Sequence, residues 1–222
     1  MTKLNVLNLG QCSYEEALDI QLDLLKKRQD KEIEDTLILV EHFPVITLGK
    51  NAVEENILVS EEYLKSQNAD IVKIGRGGDV TYHGPGQIVG YPIVNIKDLK
   101  LGIKDFVYKL EELFIQLLKN EYNIDAFRDD INNGVWIKNS KITAIGLTVK
   151  RWVTMHGFAF NVNTNLDHFN WIVPCGIQGR DVISLEKLLD HNVDFQRVND
   201  QVLKYFCKIF GYDSFEEISL YK

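Results

Sequence analysis

The chain has 222 residues, 45% hydrophobic and 26% charged, a composition that fits a globular protein able to bury its core without disulfide or metal staples. Its 25 basic and 32 acidic residues leave a formal charge of −7, and no basic run offsets it, which argues against broad nucleic-acid binding. Three scattered cysteines (Cys12, Cys175 and Cys207) offer neither a disulfide framework nor a zinc spacing, and no apolar stretch could cross a bilayer or form a signal-peptide core, so a cytoplasmic setting is expected.

No segment reads as a linker and no repeat is present, so residues 1–222 are expected to form one domain. LNVLNLG predicts a strand. Ser13 with Glu16 is a capping-box pattern that opens a helix to about Lys27, with Ala17, Ile20, Leu24 and Leu25 on one face. TLILVEH, VITLG and ADIVKIG follow as strands, and the glycine-dense GRGGDVTYHGPGQ leads as a loop into the strand IVGYPIVNI. A helix over 103–121 places Phe106, Leu110, Leu113, Phe114 and Leu117 on one stripe. GVWIKN, SKITAIGLTVK and MHGFAFNVN then alternate with period two, predicting an antiparallel meander broken at Asn139-Ser140 and Lys150-Arg151. Helices near 185–190 and 195–210 close the chain. The expected class is α+β, with a mixed, largely antiparallel sheet flanked by helices.

GRGGDVTYHGPGQ holds five glycines in thirteen residues, together with Arg76, Asp79, Thr81, Tyr82, His83 and Gln87. Glycine allows positive φ and close approach of a ligand to the backbone, at an entropic cost that a plain connector has no reason to carry. The segment lacks the Gly-Lys-Ser/Thr ending of a Walker loop and does not open a helix as the dinucleotide fingerprint does. A backbone-lined slot for an extended ligand fits better. Cys175 lies in VPCGI, between residues that favour an exposed bend. To act as a nucleophile it needs a nearby base or cation, and Lys141, Lys138, His83 and His156 are the candidates. Cys12, just ahead of a helix, is a competing thiol that the helix dipole would favour as thiolate. Cys207, within YFCKIF, reads as packing.

RGGDVTYHGPGQIVGYP closely resembles the signature of the lipoyl(octanoyl) transferases in the biotin/lipoate protein ligase superfamily. The resemblance continues through EHFPVITLGKNA, SKITAIGLTV, HGFAFNVNTNL and VPCGI, in the family's order, over about residues 40–185. Lys50 stands where that pattern often has arginine. The resemblance implies a biotin/lipoate protein ligase-like fold and a Cys175/Lys141 dyad, in which Cys175 accepts an octanoyl group as a thioester. Lys141 would stabilise the thiolate in the first step. In the second it would take a proton from the incoming amine, a role that burial favours.

Carried over position by position, the acyl slot would comprise Arg76, Gly77, Gly78, Asp79, Val80, Thr81, Tyr82 and His83, then Ala144, Ile145 and Gly146, then Gly157, Phe158 and Ala159. The implied donor is octanoyl-acyl carrier protein. The implied acceptors are lipoyl domains of 2-oxoacid dehydrogenase complexes and the glycine cleavage H protein. No cofactor, metal, nucleic acid or membrane is implied, and a monomer is expected. Because these partners are typically acidic, a local basic face is expected to oppose the net charge, with Lys73, Arg76, Lys138, Lys150 and Arg151 as candidates. His42, His168 and His191 read as loop or turn residues without chemistry. An ATP-dependent lipoate ligase, a non-catalytic module binding lipoyl domains or acyl carriers, and a cysteine hydrolase using Cys175 with His83 or His156 are the competing readings.

Overall fold

The computed structural model describes residues 2–129, 132–173 and 180–219. The chain opens with strand β1 (Lys3–Cys12), helix α1 (Tyr14–Gln29) and strands β2 (Thr36–His42) and β3 (Val45–Leu48). A 3-10 turn at Glu54–Asn56 and helix α2 (Glu61–Ser66) lead to β4 (Asp70–Lys73), β5 (Val80–His83) and β6 (Gln87–Ile93). Helix α3 (Ile103–Tyr122) precedes β7 (Phe127–Arg128), β8 (Gly134–Ile137), β9 (Ser140–Lys150) and β10 (Val153–Asn161). A 3-10 segment at Leu166–Trp171 is followed by β11 (Asp181–Val182), α4 (Leu185–Leu189), α5 (Phe195–Phe210) and β12 (Ser214–Glu217). As its sequence suggests, α1 is capped by Ser13, whose Oγ accepts the Glu16 backbone N–H at 3.2 Å.

Among the described residues the large sheet runs β12-β1-β2-β6-β10-β9-β8-β7, with β11 added against β9. Pairing is antiparallel from β2 to β7 and parallel in β1–β2, β1–β12 and β9–β11. The expected meander is β8-β9-β10. Its first turn is Lys138-Asn139, and its second is Arg151-Trp152, one residue later than the polar pair suggests; both residues there have positive φ (49° and 68°).

Period-two alternation sorts the sheet's side chains between two clusters. Leu37, Leu39, Ile88, Phe158 and Phe160 face α3 and α5, where Phe106, Leu110, Phe114, Val202 and Phe206 meet them. Ile38, Val40, Val89, Tyr91 and Ala159 face α1, against Tyr14, Ala17, Leu24 and Leu25. Both faces are covered, so β6 is buried along its whole length.

A second sheet, ordered β4-β3-β5, packs Ile46, Leu48, Val80 and Tyr82 against Phe169 and Trp171. The glycine-dense segment is therefore not one loop. Its middle is strand β5, antiparallel to β3, with Thr81 opposite Thr47. No helix among the described residues is long and apolar enough to cross a membrane.

Candidate active site

Between the two sheets lies a cleft of about 500 Å³, within the range of small-molecule sites. Three of the chain segments that wall it are those the sequence singled out. Arg76, Gly77, Gly78, Asp79, Thr81 and His83 form one side, and Lys141, Ala144, Ile145 and Gly146 of β9 form another. Gly157, Phe158 and Ala159 of β10 form a third, so the three expected clusters meet in space.

Val80 and Tyr82 are the exceptions. On strand β5 alternate side chains point to opposite faces, so Thr81 and His83 reach the cleft while Val80 and Tyr82 turn into the hydrophobic cluster behind it. There the Tyr82 hydroxyl shares a 2.6 Å hydrogen bond with His168 Nδ1, and the His168 ring stacks on Trp171 at 4.2 Å. His168 thus has a packing role rather than an idle turn position. Gly157 borders the cleft, yet a Cβ there would stand 2.1 Å from the Gly90 carbonyl oxygen, so strand β6 already requires glycine at that position.

The first half of the glycine-dense segment lies across β9. Gly77 N–H donates to the Leu147 carbonyl at 3.3 Å, and Thr148 Oγ1 donates to the Gly75 carbonyl at 2.8 Å. Arg76, almost fully buried, ties the segment to β3 by donating from Nη2 to the Thr47 carbonyl and hydroxyl, each at 3.0 Å. Asp79 does the same toward the 50s loop, accepting from Asn56 Nδ2 at 2.7 Å and from the Val80 N–H at 2.7 Å. These contacts fix the loop's backbone against the cleft. Two residues of the expected basic face are occupied by acidic neighbours: Lys73 pairs with Glu54 at 2.7 Å, and Arg151 lies 3.9 Å from Asp30.

Lys141 is 7% exposed, and a β-bulge aims it at the cleft. Val135 pairs with Thr143 but Trp136 pairs with Lys141, leaving Ile142 as the extra residue on β9. In a regular strand, positions 141 and 144 would face opposite sides. With the bulge both line the cleft. Lys141 Nζ donates to the Asn133 carbonyl at 3.3 Å and lies 4.9 Å from the centre of the Trp136 ring. Arg180 shares that ring, with its guanidinium carbon 4.6 Å from the centre, and donates from Nη1 to Asp129 at 2.5 Å. Lys138 sits exposed in the hairpin turn. Cys175 lies outside the described residues; Val173, before it, donates its N–H to the Asn56 carbonyl at 2.8 Å.

The α1 side of the cleft holds a buried imidazole and phenol cluster made by Tyr14, His42, His83, Tyr91 and His156, of which His42 is the member behind the cleft wall. His42 is not a loop residue. It ends β2 with no exposed surface, donates from Nδ1 to the Cys12 carbonyl at 3.0 Å, and accepts at Nε2 from the Tyr91 hydroxyl at 2.7 Å. His83 Nδ1 donates to Gln87 Oε1 at 2.8 Å, and the His83 ring stacks with Tyr14 at 6.1 Å. His156 lies 3.4 Å from the Tyr14 hydroxyl. It holds a left-handed φ of 58° inside a strand, where its N–H is taken by buried Gln21 of α1 at 2.9 Å.

Burial lowers His42 and His156 to about 4 and His83 to about 3, helped for His83 by its imidazole neighbour and for His156 by the Arg76 charge. All three are neutral hydrogen-bonding groups at neutral pH. Burial also pushes Tyr14 up to about 12. Cys12 behaves opposite to the dipole expectation. Burial, with the Glu16 carboxylate beside it, raises it to about 11, so its thiolate is disfavoured. Cys207, half-buried in α5, is likewise raised by burial. Among the described residues no group of three His, Cys, Asp or Glu side chains could hold a metal ion.

Sequence reasoning did not find Tyr14, Tyr91, Gln21, Trp136 or Asn133. Tyr14, Tyr91 and Asn133 line the cleft, while Gln21 and Trp136 back His156 and Lys141 from behind it, all through long-range packing, and only the alternation of IVGYPIV could have flagged Tyr91 as a buried face.

The model of the lipoyl protein ligase A/B catalytic domain matches residues 13–207. The chain is 58% identical over 215 residues to an octanoyltransferase of Alkaliphilus metalliredigens, covering 97% of this chain and 99% of that one. It is 56% identical over 210 residues to an octanoyltransferase of Caldicellulosiruptor saccharolyticus, covering 94% and 89%. In fold it is similar to the bipartite lipoate protein ligase of Thermoplasma acidophilum, with a TM-score of 0.75 at 16% identity, over 99% of this chain and 89% of that chain. The biotin protein ligase of Aquifex aeolicus is more distant, at a TM-score of 0.54 and 13% identity, over 95% and 70%.

Proposed function

Because the chain belongs to the lipoyl protein ligase A/B catalytic-domain family, as an octanoyltransferase, we propose that Cys175 and Lys141 transfer the octanoyl group through a thioester on the enzyme. The donor is octanoyl-acyl carrier protein. The acceptor is a lysine of a lipoyl domain, in 2-oxoacid dehydrogenase complexes or the glycine cleavage H protein.

The observation that carries this reading is the burial of the Lys141 amine beside a cleft of acyl dimensions. An octanoyl chain laid along Ala144, Gly146 and Ala159 buries six methylenes, worth about 5 kcal/mol at ~0.8 kcal/mol each. Cys175 is five residues from Arg180, an extended reach of at most about 18 Å. Arg180 shares the Trp136 ring with Lys141, which supports a meeting of the two groups.

In the first step the Cys175 sulfur attacks the thioester carbonyl and the carrier's C–S bond breaks. The departing carrier thiolate takes the proton of the Lys141 ammonium. In the second, the acceptor amine attacks the acyl-enzyme, a C–N bond forms and Cys175 leaves as thiolate. The amine's surplus proton returns to Lys141, so the enzyme ends as it began. The amide is far more stable than the thioester, which drives the transfer, and ping-pong kinetics follow.

The test supplies octanoyl-acyl carrier protein and a lipoyl domain, and separately octanoate with ATP and magnesium. The reading expects the octanoyl amide only from the carrier. Amide formed from octanoate and ATP alone would identify a ligase instead, and free octanoate from the carrier would identify a hydrolase.

A further inference from the structure

Lys141 depends on a short stretch of backbone. Its Nζ donates to the Asn133 carbonyl at 3.3 Å, and its stem lies against Gly134, where a Cβ would come within 3.4 Å of Lys141 Cε. Gly134 has φ of +133°, and that same Cβ would stand 2.4 Å from the Thr143 carbonyl oxygen, so this backbone is pressed between β9 and the lysine. What holds it from the other side is Glu111, in the middle of α3. The Glu111 side chain is buried, and its Oε1 accepts the Gly134 N–H at 2.9 Å.

A buried carboxylate is costly unless it is hydrogen-bonded and paired. Glu111 has Arg128 Nε at 3.4 Å, but Arg128 is shared: it also pairs with Glu112, donates to the Tyr108 carbonyl and stacks on the Tyr108 ring at 3.7 Å. Among the described residues, other charged groups flank the same strands. Asp129 and Arg180 pair with each other, and Asp181 is exposed on β11 beside Ser140.

We infer that Glu111 is the positioning residue of Lys141: its carboxylate fixes the Asn133–Gly134 backbone that cradles the amine, and its charge faces the ammonium across that backbone. Burial raises the Glu111 carboxyl above its ordinary range, opposed by the Gly134 N–H and by the charges of Arg128 and Lys141, so this acid is electrostatically linked to the amine. The inference rests on the catalytic role of Lys141 proposed above. It adds that the acid on α3 sets both the place and the proton balance of that amine.

Glu111→Gln separates charge from geometry, because the amide oxygen can still accept from Gly134. Glu112→Gln is the control: it removes a partner of Arg128 without touching Gly134. Octanoyl transfer from the carrier to a lipoyl domain is followed from pH 6 to 9 for both, with Lys141→Met alongside and thermal melting as the fold check. Glu111→Gln is expected to melt near the parent, to alter the pH profile of transfer, and to lower kcat/KM by up to about tenfold at fixed pH. Glu112→Gln is expected to overlay the parent.

A Glu111→Gln profile that overlays the parent, with Lys141→Met inactive, overturns the inference. Lys141→Met with parental activity overturns the underlying dyad instead. If Glu111→Gln does not fold, Glu111→Asp decides: it keeps the charge and withdraws the acceptor by one methylene. It is expected to lower kcat while leaving the shape of the pH profile unchanged, and a parental kcat would refute the positioning role.

Discussion

Lys141→Met is expected to lower octanoyl transfer by about 10² to 10⁴-fold, the range that a positioned acid–base group contributes. Methionine keeps an unbranched stem of nearly the same length, so the packing against Gly134 and Trp136 survives. What disappears is the nitrogen that the Asn133 carbonyl holds at the cleft. Because the proposed mechanism uses the amine in both half-reactions, the loss should appear in acylation and in transfer to the acceptor. Rapid-quench measurement of each half-reaction checks this, with thermal melting to show an intact fold. A loss of less than tenfold in both, on a folded protein, would remove Lys141 from the chemistry.

Acidification provides the second large effect. His42, His83 and His156 sit at about 4, 3 and 4 when folded and near 6.5 when unfolded. A depressed histidine means the unfolded chain binds more protons as the pH falls, so stability is present above about 6.5 and drains away toward 4. Between pH 7 and 5.5 each should cost about 1 kcal/mol, or about 3 kcal/mol for the three together. That is a large share of the stability of an ordinary domain. Urea unfolding at the two pH values measures it directly. Equal unfolding free energies would mean that the cluster is open to water and readily protonated in the native state.

Local pattern and side-chain spacing were sufficient for the elements that are stabilised by neighbours in the chain. Ser13 and Glu16 mark the start of α1, the stripe from Phe106 to Leu117 marks α3, and period two marks the β8-β9-β10 meander. The elements that escaped are those whose stabilisation is remote. β12 exists because β1 offers it a parallel edge some two hundred residues away, and α2 is a single capped turn under the small sheet.

The site shows the same division. Glycine density and the resemblance pointed to three walls of the cleft, but the sides that residues face depend on tertiary detail. Val80 and Tyr82 turn away because β3 pairs with their segment and imposes alternation on what reads as a loop. Lys141 reaches the cleft only through the bulge at Ile142, which no periodicity in SKITAIG announces. His42 reads as a loop residue until β6 brings Tyr91 to the buried end of β2. Cys12 shows how burial and an adjacent carboxylate outweigh a helix dipole.

The most direct measurement is intact mass of the protein after mixing with octanoyl-acyl carrier protein in the absence of acceptor, followed by peptide mapping. A thioester mechanism requires one added octanoyl group, located on Cys175, released by hydroxylamine and passed to a lipoyl domain on its addition. An octanoyl group found on Cys12 or Cys207 instead, or transfer to the lipoyl domain that proceeds unchanged in Cys175→Ala, would contradict it.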